Sequence, residues 1–151
     1  MKVLCVIPAR YASTRLPGKP LKLIAGKPMI QHVYEQAKKA AKPAEVLVAV
    51  DDRRVYDAVR AFGGKAVMTR EDHPNGTSRL AEVAEQCPDV DVIINVQGDE
   101  PMIPPEIIDR LAEAFEAEPD LKMATMKVRM DESEYDDPSA VKVVTDKNGY
   151  A

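Results

Sequence analysis

Five cations fall among the eighteen residues from Arg10 to Lys27, with no acid between them. They are Arg10, Arg15, Lys19, Lys22 and Lys27, in a chain whose net charge is −4, so the segment reverses the overall sign. It follows directly on an apolar run, Val3–Ile7, and is punctuated by Pro17, Gly18, Pro20 and Gly26. A strand that empties into such a loop offers a seat to a polyphosphate: clustered positive charge attracts it, and arginine's planar fork matches pairs of phosphate oxygens. Charge alone is met equally well by a solvated loop that binds nothing.

A second group is Gln97-Gly98-Asp99-Glu100-Pro101, directly after the apolar run Val92–Val96. An aspartate at a strand end can hold Mg²⁺, which takes one or two carboxylates and leaves the rest of its shell to water and substrate phosphates. Gly98 permits close approach of another group. An ordinary acidic turn has the same composition, and it is the basic loop elsewhere that gives a metal something to bridge. A third group, Asp72 to Arg79, is a polar turn leading into a helix. Its amides suit an anion or a base edge; a plain helix cap from Asn75, Thr77 or Ser78 accounts for it equally. His32 and His73 have no carboxylate or cysteine at ligand spacing, and His32 reads as structural within a helix. Two standard phosphate motifs are missing. No G-x-G-x-x-G follows a strand, and Gly26-Lys27 runs into Pro28 without the earlier glycine of a P-loop.

These groups need a scaffold, and the hydrophobic pattern supplies one. Strands are expected at Val3–Ile7, Glu45–Val50, Lys65–Met68, Val92–Val96, Met123–Val128 and Val141–Thr145. Helical spacing covers Met29–Ala41, then Val55, Ala58, Val59 and Phe62 closed by Gly63-Gly64, then Leu80, Val83, Ala84 and Cys87. Pro105 opens a last helix through Ile107, Ile108, Leu111 and Phe115. Several strands are continuous apolar runs, the mark of parallel strands covered on both faces. The alternation gives an α/β domain of three layers with a mostly parallel sheet. In such sheets ligands bind beyond the carboxyl ends of the strands. The basic loop, Asp51-Asp52, Thr69–Arg79 and Gln97–Pro101 all lie there.

At 151 residues one domain, 1–151, is expected. Aromatic residues make up 5% with no Trp, and the balance of charge is acidic. That speaks against a stacking platform for nucleic acid and against a membrane-surface binder, leaving a small anion for the basic loop. Cys5 and Cys87 read as reduced thiols of a cytoplasmic protein. No secretion signal or span-length apolar run is read. Asp146-Lys147-Asn148-Gly149 is a hairpin turn signal with only Tyr150 and Ala151 after it. The expectation is that the sequence stops inside a larger fold.

The segment Ile7-Pro8-Ala9-Arg10-Tyr11-Ala12-Ser13-Thr14-Arg15-Leu16-Pro17-Gly18-Lys19-Pro20 resembles the amino-terminal signature of the sugar-acid cytidylyltransferases. Met68-Thr69-Arg70 with His73–Arg79, Asn95–Pro104, and Ala140–Val144 with Asn148–Ala151 resemble the same family in order. Sialic-acid-activating members carry Gly-Ser-Lys where this chain has Ala12-Ser13-Thr14-Arg15, which favours the branch acting on 3-deoxy-manno-octulosonate (Kdo). The resemblance implies a nucleotidyltransferase (Rossmann-like) fold and a Mg²⁺-dependent reaction of CTP with Kdo in lipopolysaccharide synthesis, in a cytoplasmic enzyme that is a homodimer at full length. It implies that Arg10, Ser13, Arg15 and Lys19 hold the triphosphate, that Arg70, Gly76 and Arg79 surround the cytidine, that Gln97 faces the sugar acid, and that Asp99 is the metal ligand. Arg10, Lys19 and Asp99 are then the catalytic set. The family continues past residue 151, where the resemblance implies a second metal carboxylate and most sugar contacts. The alternatives are a nucleotide-binding module without turnover and an enzyme for a related sugar acid.

Overall fold

The computed structural model describes residues 1–12 and 16–151. Ser13, Thr14 and Arg15 lie outside the described residues, and with them the expectations for Ser13 and Arg15. The first strand, β1, runs Val3–Ala9 and is followed by a 3₁₀ turn at Lys19–Leu21 and two short strands, β2 (Leu23–Ile24) and β3 (Lys27–Pro28). Next come helix α1 (Met29–Ala37), β4 (Glu45–Val50), α2 (Arg53–Ala61), β5 (Ala66–Met68), α3 (Gly76–Gln86), β6 (Val92–Asn95) and α4 (Pro105–Ala117).

Four of these strands form one parallel sheet in the order β5-β4-β1-β6. The chain builds outward from β1 to β5, then crosses to the other side of β1 to lay down β6. That reversal makes β1 the switch point where a crevice opens. The side chains alternate across the sheet, as a strand's period of two demands. Val3, Cys5, Ile7, Val46, Val48 and Val50 face one way, packing with Ile30 and Val33 of α1, Val55 and Val59 of α2 and Ile108 of α4. Leu4, Val6 and Ala49 face the other way, onto Leu80 and Val83 of α3. Both faces are covered, which is why β1 reads as an unbroken apolar run. The expected three-layer α/β architecture is the one observed. Burial pushes the Cys5 thiol up to about 12, and both Cys5 and Cys87 are free thiols.

Three expectations need correction. The loop after β1 contains a hairpin: β2 and β3 pair antiparallel about Ala25-Gly26, whose φ angles of 49° and 82° are those of a tight I′-type turn. Two-residue strands are too short to show a period. Helix α1 ends at Ala37 rather than Ala41, because Asp109 of α4 takes the backbone N–H groups of Ala41 (2.9 Å) and Lys42 (2.7 Å) out of the helical pattern. The strands expected at Met123–Val128 and Val141–Thr145 are not formed. Met123, Val128, Val141 and Val144 are all more than four-fifths exposed. Their β-forming residues find no ladder partner, and a strand without one is not stable in water. The turn expected at Asp146 does form: Asp146 N–H donates to the Tyr150 carbonyl at 2.7 Å. Among the described residues no helix is long and apolar enough to cross a membrane.

Candidate functional site

The ladder between β1 and β6 stops at Val6 opposite Asn95, whereas β1 stays paired to β4 as far as Ala9 opposite Val50. The strands therefore part at the carboxyl end of β1. A cavity of about 360 Å³ opens there, a size suited to a small ligand. Pro8, Ala9 and Met29 form its floor. Three walls surround it: Arg10, Lys19 and Pro20 from the basic loop, His73 to Gly76 with Arg79 from the turn into α3, and Gln97, Gly98 and Asp99 after β6.

Each wall is held by identifiable chemistry. In the basic loop, Gly18 has φ 66°, donates its N–H to the Tyr11 carbonyl at 2.9 Å, and would press a Cβ to 3.1 Å from the Tyr11 ring. The Arg54 guanidinium lies over that ring, 3.5 Å from its centre. Arg54 also grips Asp52, the cap of α2, and holds its carboxyl down at about 2. Lys19 is thus presented from a closed loop. After β6, a Cβ on Gly98 would lie 2.8 Å from the Pro8 carbonyl oxygen, so this position needs glycine for space. The close crossing brings Asp99 over the cavity, where its Oδ2 accepts from Lys19 Nζ at 2.7 Å. Arg10 is exposed and has no ion-pair partner among the described residues.

The third wall is the start of α3. Asn75 caps it, its Oδ1 accepting from Ser78 N–H at 2.9 Å. The cap expectation is met, and Gly76, the first residue of the capped helix, lines the cavity. Behind it, His73 Nε2 bonds Glu82 Oε2, and the Arg70 N–H donates to the same oxygen at 3.1 Å. These two bonds, the histidine's first, hold the Glu82 carboxyl below its usual range. His73 therefore has a carboxylate partner nine residues along, outside the ligand spacing for which the sequence was read. Glu82 stands three residues beyond Arg79 on α3, so helical periodicity was the signal that could have found it.

Of the expected site residues, Arg10, Lys19, Gly76, Arg79, Gln97 and Asp99 line one cavity. Arg70 does not line it; its side chain is exposed and lies near Asp72 and Glu82. Arg79 lines the cavity but is already engaged, as an ion pair with Asp51 at 3.0 Å with both side chains buried. Asp51, which its place after a strand put among the segments at the site, and Tyr11, to which no role was given from the sequence, are bonded to each other and Asp51 also to Arg79. No cluster of three or more potential metal ligands occurs among the described residues. Asp99 is a single half-exposed carboxylate facing cations. That donor set fits Mg²⁺ held by one carboxylate together with water and substrate phosphates, and does not fit an all-protein cage.

Comparison with known proteins sharpens the chemistry. The family described as cytidylyltransferase matches residues 4–151. The 3-deoxy-manno-octulosonate cytidylyltransferase of Trichlorobacter lovleyi is 53% identical over 152 residues, covering 100% of this chain and 60% of that protein. The protein of the same name from Photobacterium profundum is 56% identical over 154 residues, covering 100% and 61%. The chain thus spans about 60% of the length of the curated relatives it matches. A solved CMP:2-keto-3-deoxy-manno-octonic acid synthetase complexed with CTP superposes with TM-score 0.78 at 58% identity, over 80% of this chain and 50% of that one. A cytidylyltransferase from Leptospira borgpetersenii shares the fold at 24% identity and TM-score 0.66, over 78% of this chain and 50% of that one.

Proposed function

The chain belongs to the cytidylyltransferase family, and from that premise we propose that residues 1–151 form a CTP-binding nucleotidyltransferase domain whose reaction is transfer of CMP from CTP to Kdo. The products are CMP-Kdo, for lipopolysaccharide synthesis, and pyrophosphate. The observation that carries this reading is the contact of Lys19 with Asp99 across a cavity that also holds Arg10 and the amino end of α3. Cation and carboxylate come from loops eighty residues apart, and they meet at the switch point of the sheet. The naming of relatives at 53–56% identity, and the CTP held by the solved relative, support the choice of nucleotide and sugar acid.

In the reaction the anomeric hydroxyl of Kdo attacks the α-phosphorus in line and gives up its proton to solvent. The bond from that phosphorus to the bridging oxygen breaks, and pyrophosphate leaves. Such chemistry asks the protein for positioning and charge neutralisation rather than covalent participation. Arg10 and Lys19 offset the triphosphate's charge. Lys19 is kept beside the cavity by Asp99 until a phosphate oxygen replaces that partner. Gly76 lets the backbone at the start of α3 approach the cytidine, with Arg70 and Arg79 nearby, and Gln97 faces the sugar acid. Asp99 would hold Mg²⁺, which when bound withdraws charge from the phosphate oxygens. Ser13 and Arg15 complete the phosphate grip in this reading. It extends to a homodimer in the cytoplasm, to be tested by sedimentation equilibrium and cell fractionation.

Calorimetric titration with CTP and Mg²⁺, followed by a pyrophosphate assay on adding Kdo, tests the proposal. CTP binding in preference to UTP, with pyrophosphate formed only when Kdo is present, is the expected result. Absence of CTP binding rejects the reading. Binding without pyrophosphate favours a nucleotide-binding module, and turnover with a different sugar acid in place of Kdo favours a related cytidylyltransferase.

A further inference from the structure

We propose that Asp51 is a positioning residue that ties the phosphate-side loop to the base-side turn, so that the two walls of the cavity grip the two halves of one nucleotide as a unit. The proposal rests on the nucleotide reading above and adds to it the source of the site's preorganisation.

Asp51 follows the last residue of β4, and its two oxygens serve different walls. Oδ1 accepts the Tyr11 N–H at 3.0 Å, fixing the root of the basic loop. Oδ2 accepts from Arg79 Nη2 at 3.0 Å, fixing α3. The other arm of Arg79, Nη1, reaches Thr69 Oγ1 and the Arg70 carbonyl, the latter at 3.1 Å. The Thr69 hydroxyl in turn donates to the Val50 carbonyl at 2.9 Å, one residue before Asp51. The network is closed: β1's loop, the end of β4, the end of β5 and the first turn of α3 share one carboxylate and one guanidinium.

Burial makes this arrangement fixed. The side chains of Arg79 and Asp51 are 3% and 5% exposed, against 39% and 51% for Lys19 and Asp99. The exposed pair can trade partners with a ligand at little cost. The buried pair cannot, because a swinging Arg79 would strand an unpaired carboxylate away from water. Arg79 therefore contributes by holding the wall in place, with three of its N–H donors given to Asp51, Thr69 and the Arg70 carbonyl. A site whose walls are already spaced loses less freedom on binding. It also binds the whole ligand better than its separate parts would suggest.

The test uses the full chain, Asp51→Asn, and three probes in calorimetric titration: CTP with Mg²⁺, inorganic triphosphate and cytidine. Asparagine keeps the shape and an acceptor for Tyr11 but discards the charge. The loss of CTP affinity is expected to exceed the product of the losses for triphosphate and cytidine by at least about fivefold, the coupling expected of groups in one network. A CTP loss equal to that product overturns the proposal. Val83→Ala, which destabilises α3 from the core side, should lower the melting temperature yet obey the product rule; an excess there also overturns it. Should Asp51→Asn not fold, Thr69→Val removes the hydroxyl beneath Arg79 and is expected to show the same excess at smaller size, and no excess rejects the idea. A wild-type chain that binds no CTP removes the nucleotide reading and this proposal with it. Product-rule behaviour in a CTP-binding chain removes this proposal alone.

Discussion

Lys19 and Asp99 touch at 2.7 Å, yet their contact contributes little to folding, because both side chains are substantially exposed. Exposed ion pairs contribute about 0–1 kcal/mol. The pair's importance lies in what it concentrates at the mouth of the cavity, so Asp99→Asn should separate stability from function. Its melting temperature is expected within about 4 °C of wild type, while the dependence of CTP binding on Mg²⁺ disappears; an unchanged Mg²⁺ dependence in calorimetry would refute the metal role. Gly98 makes the opposite case. Its added methyl would meet a backbone oxygen, Pro8's, at 2.8 Å, and backbone cannot rotate aside as a side chain can. Gly98→Ala is expected to cost about 1–3 kcal/mol in thermal unfolding, and to weaken CTP binding, because Asp99 is displaced with the loop. A melting curve that superposes on wild type refutes that contact. Residue type made Asp99, Gly98 and Lys19 legible: the glycine and acid sit just beyond one apolar run, and the cation sits in the basic loop that follows another. It could not reveal that Arg79 is spent on Asp51, twenty-eight residues away, because only the fold brings those two together.

At the scale of elements, legibility followed from where each element finds its partners. Strand β4 is bounded as its sequence suggests, Glu45–Val50, because it is buried on both faces and between two neighbours. The segments Met123–Val128 and Val141–Thr145 have similar residues and no ladder, since pairing is a property of the neighbour as much as of the strand. The β2–β3 hairpin was hidden for the converse reason: it consists of little besides its turn. Helix α3 carries one acid-sensitive contact of the site. Glu82, held by His73 and the Arg70 N–H, has its carboxyl lowered in the folded state. A carboxyl lowered by folding stabilises above its unfolded pKa, about 4.3, and that contribution is lost as pH falls through the depressed folded value. Glu82→Gln is therefore expected to flatten the acid limb below about pH 4.3 in melts from pH 7 to 3, relative to its own neutral value. An acid limb as steep as wild type would show that the His73–Glu82 bond is not what links the turn to pH.

Over the whole molecule, charge is divided unevenly. The net value is −4, yet the cavity mouth gathers Arg10 and Lys19 against a single acid, Asp99. A polyanion is repelled by the surface at large and drawn to one place, which gives direction to its capture. Order is divided as well. The sheet and α1 to α4 hold the core, while residues after α4 contain, among those described, one 3₁₀ turn at Glu132–Glu134 and no sheet pairing. The residues that line the cavity all precede α4, in β1, α1, α3 and the loops after β1, β5 and β6. A ligand seated there should therefore stabilise the cooperative unit as a whole rather than a peripheral segment. On the nucleotide reading, CTP with Mg²⁺ at a free concentration one hundred times its dissociation constant is expected to add about 2.7 kcal/mol to unfolding. For a chain of this size that corresponds to a rise of about 5–11 °C in melting temperature. Chelating the Mg²⁺ should reverse most of the rise, and raising the salt from 0.05 to 0.5 M should shrink it by screening the exposed cations. Hydrogen exchange should show the same ligand slowing amides of β1 and β4 while those after Leu121 stay fast. Slowing confined to residues after α4 would mean that the nucleotide sits elsewhere than at the switch point of the sheet.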